Sequence, residues 1–252
     1  MTTATGRNAR VPARPWNVGW LATSLLAFIL LGGCAVPRAA VDEAGRLDVL
    51  GPTPDFAAGG LPGDWVIEGD VTRLQLAVAE RAGVPALRLI NGEKGFVLVR
   101  RTSASLLATP YLSWSWNVDD HGQGNHPVRL IVGFWGGNPD SASWGSRPLV
   151  GLGTRLPPHD RSLAIAWADS ALKRGSLVLP SGGERHVPLY VLRGGRENAG
   201  VWWFETADLA ELYRRLWPND RIERVQVMFI GLAVAGGRPT APAHVSGLRL
   251  SR

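Results

Sequence analysis

The chain's single cysteine closes the tetrad Leu31-Gly32-Gly33-Cys34. Its thiol can carry a lipid as a thioether, and the small residues before it suit a peptidase that cuts there and frees the Cys34 amine. Three other groupings have residue types that could do chemistry. Asp119, Asp120, His121 and His126 share one loop, and carboxylates with imidazoles can bind a metal through oxygen and nitrogen. Glu205 and Asp208 form a candidate carboxylate pair of the kind that glycoside hydrolysis uses. Trp135 and Trp144 bracket a polar, glycine-containing loop that holds Asn138 and Asp140, with Arg147 just beyond. Indole faces there would stack on a sugar ring while amide, carboxylate and guanidinium groups bond its hydroxyls.

Plainer uses exist for most of these. Asp, Asn and Gly favour turns for backbone reasons. Gly122 and Gly124 mark the Asp119–His126 loop as a solvated hairpin tip, and no further ligand set appears at a recognisable spacing. No metal and no other cofactor is therefore expected. Glu205 and Asp208 precede an amphipathic segment, where acids stabilise a helix N-terminus, so no catalytic residue is assigned. A Gly-x-Ser-x-Gly elbow is missing. Gly151-Leu152-Gly153 lacks the rest of a dinucleotide loop, and the turn from Gly194 to Gly200 lacks the Lys-Ser/Thr of a P-loop. With Cys34 lipidated, no disulfide and no cysteine-based metal site can form. The candidate ligand site is therefore Trp135, Asn138, Asp140, Trp144 and Arg147. Its plainer use is a loop whose aromatics fold back on the sheet.

Residues 1–33 read as a lipoprotein signal peptide. Arg7, Arg10 and Arg14, with no acid among them, precede the apolar run Val18–Leu31, and small residues lead to Cys34. That run is too short for an ordinary transmembrane helix, which takes about 20 residues. Each buried CH₂ of an attached chain contributes about 0.8 kcal/mol, so two or three chains anchor stably where one would not. The similarity to bacterial lipoproteins, with Ala35 rather than Asp after the cysteine, implies sorting to the outer membrane, facing the periplasm of a Gram-negative cell. Without the three leader arginines the formal charge falls from +6 to +3. No Lys/Arg cluster is interleaved with aromatics, so nucleic acid is not an expected partner.

Residues 34–58 are rich in Pro, Ala and Gly and read as a lipid-anchored tether. Residues 59–252 are enough for one domain with a sizeable core. There the pattern is short and alternating, with Gly/Pro punctuation. Leu74, Leu76 and Val78 alternate, as do Leu87 with Leu89 and Phe96 with Leu98. The clearest strand is Tyr111–Val118, which sends Leu112, Trp114, Trp116 and Val118 one way and Ser113, Ser115 and Asn117 the other. Val128–Phe134, Leu163–Trp167, Leu177–Leu179, Val187–Leu192, Val201–Phe204, Arg224–Leu232 and Val245–Leu250 complete the set. Trp202-Trp203 puts one ring on each face of its strand. One helix is expected near 206–217, with Thr206 as N-cap, Leu209, Leu212, Tyr213 and Leu216 on one face, and Pro218 as the stop.

Four stretches resemble a family of bacterial secreted proteins known as domain of unknown function 3047. They are Pro110–Val118, Pro127–Phe134, the segment from Tyr190 through Trp203 and Asp208 to Leu216, and Ile222–Met228. The resemblance spans about residues 60–250 and implies a galactose-binding-like or carbohydrate-module-like sandwich, with no known activity. The family pattern leads into the second stretch with an acidic Gly-Asp-Asp, where this chain has Gly124-Asn125-His126. It follows the last with a polar turn, where this chain has the apolar Phe229–Val234. The expected fold is thus an all-β antiparallel sandwich, jelly-roll or galactose-binding-like, with one helix. The leading functional expectation is a non-catalytic envelope lipoprotein that binds a glycan or a protein partner. The alternatives are a periplasmic hydrolase using loop carboxylates or a loop metal, and a structural subunit of an envelope assembly.

Overall fold

A computed structural model describes residues 1–3, 36–51, 61–138, 155–179, 187–238 and 241–252. Contacts divide the chain into Met1–Val36 and Pro37–Arg252, and all the strands named below belong to the second unit. Among the described residues no helix is long and apolar enough to cross a membrane.

In chain order the strands are β1 (Arg46–Asp48), β2 (Trp65–Gly69), β3 (Leu76–Arg81), β4 (Val84–Leu89), β5 (Phe96–Ser105), β6 (Tyr111–Val118) and β7 (Val128–Trp135). After them come β8 (Arg161–Ala168), β9 (Leu177–Val178), β10 (Leu189–Gly194), β11 (Trp202–Asp208), β12 (Gln226–Val234) and β13 (Ala243–Ser251), with helix α1 (Leu209–Leu216) after β11. One sheet has the order β11-β6-β13-β4-β3, with β1 also paired to β13. The other has the order β2-β5-β12-β7-β8-β10-β9. The fold is a β-sandwich with one helix.

Strand alternation builds the core. Leu112, Trp114, Trp116 and Val118 of β6 all point inward and are essentially unexposed, as are Leu130, Val132 and Phe134 of β7. Trp116 packs edge-on to Trp114 and Trp167, with ring centres 5.4 and 5.3 Å apart. Rings in this arrangement gain quadrupole attraction on top of their buried area.

Three expectations are corrected. First, the pairing is not purely antiparallel, since β8 and β10 run parallel. β9 lies outside β10 and pairs with it antiparallel, so β10 inserts between β8 and β9 in the direction of β8. Accordingly β8 is buried on both faces, with Leu163, Ile165 and Trp167 inward and Ala164, Ala166 and Ala168 outward.

Second, the 34–58 stretch is not all tether. Arg46–Asp48 pairs with β13, and Leu47, Val49 and Leu50 are buried in the core, because an alternating apolar pair is enough to add a short strand even in a Pro/Ala/Gly-rich stretch.

Third, β11 runs through Thr206, and Asp208 is the N-cap, its carboxylate accepting the Glu211 N–H at 2.9 Å. Thr206 is held by its ladder pairing to Ser113. The helix buries Leu209, Ala210, Leu212 and Tyr213, and Pro218 follows its C-cap.

The side of β6 that carries Ser113 and Asn117 is buried as well. The Trp202 indole N–H donates to the Arg81 carbonyl at 2.9 Å, joining β11 and β3, the two edges of that sheet. Trp203 lies on the opposite face, against the core.

Candidate functional site

The outer face of the seven-stranded sheet carries the candidate site. The registers of β2 with β5, β5 with β12 and β12 with β7 align Glu68, Val97, Ala233 and Arg129 in one row across four adjacent strands. Three strand spacings separate the end members, about 14 Å at roughly 4.8 Å each. The next row is Val66, Val99, Gly231 and Ile131. A groove of about 400 Å³ opens over the first row, bounded also by Gly69, Gly95 and Pro127. Its floor, Val97 and Ala233, is small and apolar, and its two ends are charged.

The two charges differ in what they already bind. The Glu68 Oε2 accepts the Arg155 backbone N–H at 3.1 Å. The Arg129 guanidinium has no acceptor among the described residues, and its shielded Nε is left without a partner. Burial alone lowers the Arg129 pKa from the usual guanidinium value. It stays charged at any physiological pH, because guanidinium does not give up its proton in proteins.

The segment Arg155–Asp160 crosses the same face. Leu156 packs on the cluster formed by Val66, Val99, Ile131, Met228 and Phe229. His159 lies edge-on to Phe229 at 4.9 Å, and the Asp160 N–H donates to the Phe134 carbonyl at 2.9 Å. Phe229 itself lies across β7 at Gly133, where a Cβ would collide with its ring. Glycine at that position is therefore what lets the aromatic lie flat along the face.

Trp135 ends β7 on this same face, half-buried against that cluster. It is a strand residue, six positions from Arg129 and so about 20 Å away. Asn138 is half-buried beyond the Gly136-Gly137 turn. Asp140, Trp144, Arg147 and Cys34 lie outside the described residues.

The remaining groupings have structural work. Asp119 is 2.5 Å from the Arg81 guanidinium, and Asp120 pairs with Arg196 at 3.0 Å. His126 is fully buried. Its Nδ1 accepts the Val128 N–H at 3.0 Å and its Nε2–H donates to the Ala241 carbonyl at 3.0 Å, which occupies both nitrogens. Burial, then the neighbouring His121, pushes its pKa down to about 4. Among the described residues no group of three or more His, Cys, Asp or Glu could hold a metal ion.

Glu205 is not at the helix start as expected. It points inward from β11 and pairs with Arg193 of the opposite sheet, whose guanidinium also lies 3.8 Å over the Trp203 ring. On the outer face of the six-stranded sheet, Asn117 Oδ1 and His244 Nδ1 are buried without hydrogen-bond partners. The reach of Trp202 to Arg81 spans that face at the same end.

Residues 67–233 match the family described as protein of unknown function, DUF3047. The chain belongs to this family. Glu68, Val97, Arg129 and Ala233 all fall inside the matched stretch. No curated protein matches the chain. Among solved structures, the chain is similar to a family 11 carbohydrate-binding module from Clostridium thermocellum in complex with a β-1,3-1,4-mixed-linked tetrasaccharide. The identity is 7%, the TM-score 0.38, and the alignment covers 82% of this chain and 95% of that one. It is also similar to a family 12 xyloglucanase from Bacillus licheniformis, at 10% identity and TM-score 0.37 over 86% and 96% of the two chains. A third likeness is to a carbohydrate-binding module studied for mannan recognition, at 12% identity and TM-score 0.34 over 86% and 99%.

Arg129 and Glu68 were not among the residues singled out from the sequence. A signal for Arg129 was present. In the alternating stretch Val128–Phe134 it is the one charge on a side otherwise filled by Ile131 and Gly133.

Proposed function

We propose that this DUF3047 member is a lipid-anchored envelope protein whose sandwich binds a glycan without transforming it, in the groove between Glu68 and Arg129. The observation that carries this reading is the row itself. It is a small apolar floor on which a sugar's C–H face can lie, with a hydrogen-bond acceptor at one end and, at the other, guanidinium donors that bond nothing among the described residues. Ligand sites have that makeup, mostly apolar with a few placed polar groups. Glu68 is the one carboxylate lining the groove among the described residues, whereas hydrolysis of a glycosidic bond ordinarily uses two.

The anchor rests on Cys34 and the leader before it. Cys34→Ala should move the protein from the membrane to the soluble periplasmic fraction and abolish acyl labelling. Unchanged membrane association would sink that half of the reading. For the glycan half, the full-length protein is screened against peptidoglycan and outer-membrane polysaccharide fragments. The expected result is weak binding, roughly micromolar to millimolar, because association costs offset much of the contact energy. Arg129→Ala should weaken it. No binding to any fragment would remove the glycan reading and leave the structural-subunit alternative, for which crosslinking in the intact envelope is the next measurement.

A further inference from the structure

Arg129 stands apart from the other partly buried arginines of the sandwich. Arg81 pairs with Asp119, Arg100 with Asp64, Arg161 with Asp220 and Arg193 with Glu205, while Arg88 and Arg101 donate to the Leu74 and Gly63 carbonyls. Arg129 alone of these seven has no carboxylate and no carbonyl among the described residues, and its Nε is shielded as well. Withdrawing a cation from water without supplying a partner is unfavourable. A chain that gives each of the others an acceptor leaves this one facing a groove.

We propose that the ligand of this groove is an anionic glycan, one of whose carboxylates is received by the Arg129 guanidinium. This rests on the glycan reading given above and specifies it. The planar fork of a guanidinium matches a carboxylate with two parallel N–H···O bonds, and the pair is stronger where water is partly excluded. The groove also sets a direction. Glu68, about three strand spacings away across Val97 and Ala233, repels a second carboxylate and accepts hydroxyl donors. The acidic sugar therefore lies over Arg129 and β7, and the hydroxyl-rich end lies over Glu68 and β2. Among the described residues lining the groove Arg129 is the one cation; Lys94, beside Gly95, is paired with Asp70 at 2.6 Å, and Arg155 stands at the Glu68 end, where its backbone N–H meets that carboxylate. The preference for an anion is therefore assigned to Arg129 alone.

The shared chemistry is a carboxylate on a sugar, and two envelope sources carry it: uronic-acid polysaccharide, and peptidoglycan with its lactyl and peptide carboxylates. The test uses the full-length protein in detergent and titration calorimetry. One arm compares an oligouronate with the same oligosaccharide after its carboxyl groups have been reduced to alcohols. The other compares a muropeptide with its carboxyl-amidated form. The expected result is at least tenfold tighter binding of the acidic member in one arm, which names the source. That preference should weaken with added salt and vanish in Arg129→Met, which keeps the side chain's bulk. Because Arg129 has no partner among the described residues, Arg129→Met should melt in urea at or above the wild-type midpoint, which separates lost recognition from lost folding. Equal affinity for both members of each pair would overturn the anionic inference and leave the glycan reading standing. A preference that survives Arg129→Met would overturn the assignment to this residue. No binding of any member would overturn the glycan reading itself.

Discussion

Acid should destabilise this sandwich through one imidazole. His126 is fully buried, its Nδ1 accepts the Val128 N–H and its Nε2–H donates to the Ala241 carbonyl. A second proton has nowhere to go but Nδ1, which would break the bond to Val128. Its pKa is accordingly pushed from 6.5 down to about 4. Between those values the unfolded chain binds a proton that the folded chain refuses, so stability is present in full above about pH 6.5 and drains as pH falls toward 4. Integrating the two titrations from pH 7 to pH 5 gives a loss of about 2 kcal/mol. With a urea slope of about 2 kcal/mol/M, the midpoint should fall by about 1 M. His121 and His244 are shifted down as well, each mainly by burial, and add in the same direction. The carboxylates lowered by their partners, Asp120 and Asp169 among them, lose their contribution only at lower pH, near and below their ordinary range. The assay is a urea melt at pH 7, 6 and 5, on wild type and on His126→Phe. The variant should be weaker at pH 7, because the Val128 N–H and the Ala241 carbonyl lose their partner at about 1–3 kcal/mol each, but its midpoint should depend less on pH. A wild-type midpoint unchanged between pH 7 and 5, or an undiminished slope in the variant, would refute the reasoning.

Trp114→Ala removes a fully buried ring that packs edge-on to Trp116 and should cost about 3–5 kcal/mol in denaturant melts. Gly133→Ala places a methyl where the Phe229 ring lies. It should cost about 1–3 kcal/mol by overpacking, and Phe229→Leu in the same chain should recover part of that loss. Glu205→Gln leaves the Arg193 guanidinium buried between the sheets without its carboxylate. The expected loss is about 3–5 kcal/mol, whereas the double variant Glu205→Leu/Arg193→Met should be closer to wild type, because it removes both charges together.

Residues that make their case locally were legible in the sequence. The period-two alternation of Tyr111–Val118 was enough to put Trp114 and Trp116 in the core, because burial on one face is all that such a pattern encodes. The helix was legible for the same reason, but its cap was not. Thr206 and Asp208 are both good N-caps, and the choice between them depends on how far β11 stays paired to β6, which is a contact between distant segments. Likewise Leu47 and Val49 form too short an alternation to stand out among prolines, and only the partner strand β13 makes them a strand. The parallel pairing of β8 and β10 left one trace, the run of small residues at Ala164, Ala166 and Ala168, which a two-sided burial requires and a solvated face does not.

The groove is the extreme case of this dependence on distant segments. Its four floor and end residues come from positions 68, 97, 129 and 233, and no window of sequence holds two of them. Spacing rules find sites whose members share a loop or a helix turn, which is why Trp135–Trp144 and Asp119–His126 stand out in the sequence. In the second of these, the structure shows acids already matched to arginines and a histidine with both nitrogens occupied, so the crowding has a structural cause. At Arg129 the reverse holds. It is a single charge among apolar neighbours, with nothing among the described residues to neutralise it. In a sandwich that pairs Arg81, Arg100, Arg161 and Arg193, that missing partner is the ground for proposing Arg129 as a binding group rather than a structural one.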